Sequence, residues 1–134
     1  MTAAAVIRPR RRVFSGTAGQ VGRVRLFVGD VLDGCPVANG AVLLTSELVT
    51  NAIAHSASGK GGKVVVTVYR DDTRVRVEVQ DDGSDEVPVV HLGGEARESG
   101  FGLELVELMA DRWGHRGGPR RRVVWFMLEW KANP

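Results

Sequence analysis

A single-domain α/β fold is what this 134-residue chain predicts, and three observations carry the prediction. Residues 21–31 and 41–55 place apolar side chains at helical spacing. Residues 63–70 and 74–81 are valine-rich, alternate with period two and flank a short polar turn, the pattern of an antiparallel hairpin. The length suits one domain with one sizeable core, and no internal repeat divides it.

Composition narrows the class. Hydrophobic residues at 43% and charged residues at 25% describe an ordinary soluble globular chain rather than a disordered or membrane one. A formal net charge of only +2 argues against a dedicated nucleic-acid binder. The single cysteine, Cys35, excludes an internal disulfide and a thiolate zinc cluster, and suits a reducing compartment. No apolar run is long enough to cross a bilayer and no secretion signal opens the chain, so a cytoplasmic location is expected.

Residues 1–11, with Arg8, Arg10 and Arg11, read as a flexible basic arm, and residues 12–131 as the domain. Arg12, Val13 and Phe14 open an edge strand. Ser15 or Thr17 then offers an N-cap to a helix with Val21, Val24, Phe27, Val28 and Val31 on its apolar face, ending near Asp33 and Gly34. Pro36 and Gly40 mark the connection to the central helix.

That central helix, Ala41 to His55, is apolar around most of its circumference, as a buried helix is. Leu43 and Ala54 flank one side of Glu47 and Asn51, and Leu44 and Leu48 the other. Four residues apart, Glu47 and Asn51 lie about 40° from each other and share a face. A carboxylate in such surroundings requires a polar partner. Either an arginine meets Glu47 while Asn51 caps a loop, or both face a ligand. His55 suits the helix end, where the dipole favours it.

The segment SASGKGG ends the helix in a flexible turn. In the second strand of the hairpin Val75, Val77 and Val79 share one face, and the same parity turns Asp81 inward and Asp82 outward. Asp81 is thus a second inward carboxylate, unless pairing stops at Gln80 and Asp81-Asp82-Gly83 is turn chemistry. Ser84 to Ser99 forms a loop of lid-like length. Gly100-Phe101-Gly102 opens a third helix, with Leu103, Leu105, Val106, Leu108, Met109 and Ala110 apolar, Glu104, Glu107 and Asp111 solvated, and Gly114 at its close. Glycines at a helix start let phosphate approach the free amides. A solvated turn at Arg120, Arg121 and Arg122 leads to a last strand, Val123 to Trp130. Trp113, Trp125 and Trp130 read as packing residues, and His91 and His115 are too isolated for a metal site.

Together these features supply the parts of a nucleotide site. Asn51 can join a magnesium ion without adding charge, Asp81 can accept from an exocyclic amine, the glycine amides can hold phosphates and Glu47 can deprotonate a nucleophile.

The stretches ELVTNAIAH, VEVQDDG and SGFGLELVELMADRWG resemble the N box and two glycine boxes of the histidine-kinase-like ATPase superfamily. The resemblance is strongest to its small bacterial anti-sigma factor and serine-protein kinase branch, and it covers residues 12–130. It implies a two-layer α/β sandwich, a mixed and mostly antiparallel sheet covered by about three helices, with ATP and Mg2+ held between the central helix and the lid. By position it implies that Asn51 contacts magnesium, Glu47 activates the attacking group and Asp81 reads adenine. Gly83, Gly100 and Gly102 would match box glycines, Phe101 lies between the last two, and Leu103 would pack behind the phosphate loop. Gly83 is followed by Ser84-Asp85, so the second glycine of the first box is missing, which bears on the lid's start and on affinity for ATP.

The function implied is an ATP-dependent serine/threonine-protein kinase switch that sequesters a sigma factor and phosphorylates an anti-sigma antagonist, as a homodimer. The altered glycine box suits a catalytically inactive module that grips a regulatory partner. Nucleic-acid binding through the arginine clusters is the weakest reading, because no aromatic platform accompanies them.

Overall fold

In the computed structural model, residues 7–83 and 103–131 are described. Five strands form one sheet: β1 (Ile7–Ser15), β2 (Lys63–Arg70), β3 (Arg74–Asp81), β4 (Arg112–Gly117) and β5 (Arg122–Glu129). Their order is β1-β2-β3-β5-β4. The sheet expected to be mixed is antiparallel at every pairing among these residues. Helices α1 (Val21–Val31), α2 (Ala38–His55) and α3 (Glu104–Met109) complete an α/β sandwich.

The valine parity places the core. Val64, Val66 and Val68 of β2 and Val75, Val77 and Val79 of β3 are all buried, and β5 adds Val124, Phe126 and Leu128. Against them lie Val24 and Val28 of α1 and Ala41, Leu44, Leu48, Val49 and Ala52 of α2. Burying apolar surface of this extent is the main favourable contribution to folding. The hydroxyls of Thr45 and Ser46 inside α2 are satisfied locally: Thr45 Oγ1 donates to Ala41 O at 2.7 Å and Ser46 Oγ to Leu43 O at 2.8 Å.

Several boundaries differ from expectation. The edge strand expected to open at Arg12 starts at Ile7, and Arg10 and Arg11 already pair with Val68 and Thr67. Pro9 is tolerated there because β1 is an edge strand. Thr17 stands at the N-cap of a 3-10 turn, Ala18–Gln20, without a side-chain capping bond. The helix α2 is not buried all round, since Leu43, Thr50 and Ala54 form an exposed stripe.

The third helix is short. It ends at Met109, and Gly114, expected as its stop, lies within β4 opposite Trp125. A Cβ at residue 114 would stand 3.0 Å from the Trp125 ring, so the glycine answers a packing demand. Helix α3 buries Glu104 and Val106, with Leu103 buried at its N-cap, while Leu108 is 75% exposed. Glu104 is therefore not on a solvated face. His115 belongs to β4 rather than to a helix end.

Candidate functional site

Four of the expected site residues lie on elements whose relative placement is set by one hydrogen-bonded junction. Helix α2 ends at Ser56, whose hydroxyl donates to Ala52 O at 2.5 Å and accepts from Ser58 N. A 3-10 turn, Ala57–Gly59, follows. Ser58, fully buried, donates from Oγ to Lys63 O at 2.6 Å and accepts there from Asp82 N at 2.9 Å. Ala57 N donates to Gly83 O at 3.0 Å, and Lys63 N to Asp82 Oδ2 at 2.9 Å. The segment expected as a flexible turn therefore joins the C-terminus of α2 to the start of β2 and the end of β3. At Gly62 a Cβ would stand 2.8 Å from Ser58 Cα and 3.0 Å from Ala57 O, so the backbone leaves no room for a side chain.

Glu47 and Asn51 are half-buried on α2, one turn apart, beside its exposed stripe. The Asn51 amide nitrogen Nδ2 is buried and has no hydrogen-bond partner among the described residues. A buried amide N–H2 group without a partner is costly and marks a place where an acceptor is expected. The carbonyl oxygen of the same amide can face a cation.

The strand parity holds to its end. β3 includes Asp81, which is 3% exposed, while Asp82 is exposed. The turn-only alternative is excluded, because Asp81 pairs with Arg122 in the β3/β5 register. Arg122 Nη2 donates to Asp81 Oδ2 at 2.8 Å and Nε to the same oxygen at 3.2 Å. Gly83 N donates to Asp81 Oδ1 at 2.8 Å. The inward carboxylate thus has a partner inside the fold, and Arg122 is 2% exposed rather than part of a solvated turn. Arg120 and Arg121 remain exposed.

Gly83 is required by geometry twice over. Its φ is +90°, and a Cβ there would stand 2.3 Å from Pro119 O. Leu103, 1% exposed, packs into the core. Gly100, Phe101 and Gly102, like the whole of the loop from Ser84 to Ser99 with His91, lie outside the described residues.

Sequence reasoning missed two residues, Ser58 and Arg122. For Arg122 part of the signal existed: Val124, Phe126 and Leu128 alternate inward, and the same parity carried back two residues turns Arg122 inward, without naming its partner. Ser58 had no such signal, because its partners come from two strands brought together only by the fold.

A cleft of about 250 Å³ opens on the opposite face of the sheet, lined by residues including Tyr69, Arg76 and Met127, which are neighbours in register. There the Arg76 guanidinium lies 4.1 Å from the Trp125 ring centroid and pairs with Glu78 at 2.9 Å. It is separate from α2 and Asp81. Among the described residues no helix is long and apolar enough to cross a membrane.

None of the curated proteins compared with the chain matches it. The family profile of the histidine kinase-like ATPase domain matches residues 14–128, from the end of β1 to the end of β5, and so spans α2, Asp81 and Gly83 together. The chain therefore belongs to the histidine kinase-like ATPase family.

Proposed function

We propose that this protein binds ATP with magnesium beside α2 and acts as an anti-sigma regulatory protein that phosphorylates a serine or threonine of an anti-sigma antagonist. The observation that carries the reading is the pair on α2: Glu47 stands one turn from an Asn51 amide nitrogen that has no partner among the described residues. That amide fits a site where anionic oxygens and a cation meet, its N–H2 toward a phosphate oxygen and its carbonyl toward magnesium. Asp81 would receive the exocyclic amine of adenine. Gly83 would keep the chain beside it free of a side chain, and Gly100 and Gly102 would offer amides to the phosphates.

When bound, ATP with magnesium supplies the transferable phosphoryl group and neutralises much of its charge. Glu47 would accept the proton of the attacking hydroxyl, a role open to a carboxylate within hydrogen-bond reach of it. The homodimer, the sigma factor and the antagonist belong to this proposal through the resemblance of ELVTNAIAH and the two glycine boxes to the anti-sigma branch.

A second reading, a partner-gripping module without phosphotransfer, is favoured by the Ser84-Asp85 departure. Titration calorimetry with ATP, with and without magnesium, on the native protein and Asp81→Asn tests the nucleotide site. Transfer of label from ATP to a candidate antagonist, present with native protein and absent with Glu47→Ala, separates kinase from module. Binding without transfer supports the module, and no binding at millimolar ATP sinks the nucleotide reading.

A further inference from the structure

The pairing of Asp81 with Arg122 does more than neutralise a buried charge. An ionised carboxylate presents about four acceptor positions on two oxygens. Arg122 fills those of Oδ2 with two N–H donors, at 2.8 and 3.2 Å, and Gly83 N occupies one of Oδ1 at 2.8 Å. Both residues are anchored: they face each other across the β3/β5 register and are 3% and 2% exposed. The carboxylate cannot turn without breaking three hydrogen bonds. Among the described residues this leaves one acceptor position, on Oδ1, in a fixed direction.

We propose that Arg122 is the positioning residue of the base subsite, holding Asp81 so that the site accepts a purine only through an amino N–H at the 6-position. The inference rests on the ATP-binding reading and adds to it the residue that fixes the acceptor. A 6-aminopurine presents a donor to the remaining Oδ1 position. A 6-oxopurine presents a carbonyl there, and two acceptors facing each other in a buried site repel and leave both unsatisfied. Arginine suits the task because its planar fork delivers two N–H groups to one side of a carboxylate, whereas lysine is a point charge on a flexible stem.

The test is the ratio of ATP to ITP affinity, because inosine differs from adenosine at the 6-position. Calorimetry with magnesium on the native protein is expected to favour ATP by about ten-fold or more, in line with sites built to hydrogen-bond one group. In Arg122→Lys, ATP affinity is expected to fall about ten-fold while ITP affinity stays within about three-fold, so that the preference collapses. A merely structural role would weaken both nucleotides together, and an unchanged ratio in Arg122→Lys overturns the proposal.

Should Arg122→Lys fail to fold, the native protein still decides. The 15N-resolved Nε–H resonance of Arg122 is expected to shift on addition of ATP and not of ITP, and an equal response to both overturns the proposal. Failure of the native protein to bind either nucleotide overturns the ATP-binding reading and this inference with it, whereas ATP binding with an unaltered ratio removes Arg122 alone.

Discussion

Asp81 and Arg122 form a buried ion pair, Oδ2 to Nη2 at 2.8 Å, between the last residue of β3 and the first of β5. Breaking a buried pair by removing one partner leaves the other charge uncompensated and typically costs about 3–5 kcal/mol. Arg122→Met is therefore expected to lower unfolding free energy by that amount. The double substitution Asp81→Leu, Arg122→Met, which removes both charges, is expected to lose markedly less. Urea denaturation of the three proteins checks this, and equal losses in the single and double variants would contradict the pairing.

Asn51 makes the opposite prediction for stability. Its Nδ2 makes no hydrogen bond within the described residues, so removing it gives up no such bond. Asn51→Leu, similar in volume and a better helix former, is expected to be neutral or to stabilise by about 1 kcal/mol. The same change should abolish magnesium-dependent ATP binding, the trade-off common where a site is held in a costly arrangement. Thermal melts and calorimetry on one preparation read both effects. A destabilisation of several kcal/mol would show that the amide is part of the fold's own bonding.

Ser58 holds the junction between α2 and the sheet. Ser58→Ala removes the acceptor of Asp82 N and the donor to Lys63 O in a fully buried setting. A cost of about 1–2 kcal/mol is expected, since the part-buried Asp82 N–H is left unmatched. Ser58→Thr keeps the hydroxyl and so separates its bonding from the space around it. Because the junction sets Asp81 and Gly83 relative to α2, ATP affinity should fall in Ser58→Ala even under conditions where the protein is fully folded. Unchanged affinity in the folded variant would remove the junction from the site.

The β2/β3 turn carries a pH signature. Partial burial pushes the Asp71 carboxyl up, but the Thr73 amide, the Arg74 side chain and amide, and the Arg74 charge outweigh it and hold the group below its ordinary 3.8. Asp71 accepts from Thr73 N at 2.9 Å, Arg74 N at 3.0 Å and Arg74 Nε at 3.1 Å. A carboxyl depressed in the folded state stabilises the protein above its unfolded value, and that contribution is lost as pH falls through the folded one. The stability gap between native protein and Asp71→Asn should thus be fully open at neutral pH and close as pH drops below about 3.8. A gap that widens on acidification would reverse the assignment.

Alternation alone was enough to find the hairpin, because a strand with one buried face must place every second residue inward. The same rule correctly turned Asp81 into the core. Helical spacing likewise located α1 and α2 and put Glu47 and Asn51 on one face. Periodicity failed at the third helix: Leu103 to Ala110 is apolar enough, around Glu104 and Glu107, for a longer helix, but only its packing shows that Leu103 and Val106 are inside and Leu108 outside.

The amino-acid sequence by itself thus determined the α/β class, the hairpin strands, the shared face of Glu47 and Asn51 and the inward turn of Asp81, since each follows from the periodicity of single elements. The tertiary structure decided which groups answer those polar residues. Arg122 reaches Asp81 from 41 residues away, and Ser58 meets Asp82 across 24. Such pairings form only when the sheet closes in the order β1-β2-β3-β5-β4, and no local spacing encodes them. Gly114 shows the same division: along the chain it reads as a helix stop, and across the sheet it is the space that the Trp125 ring requires.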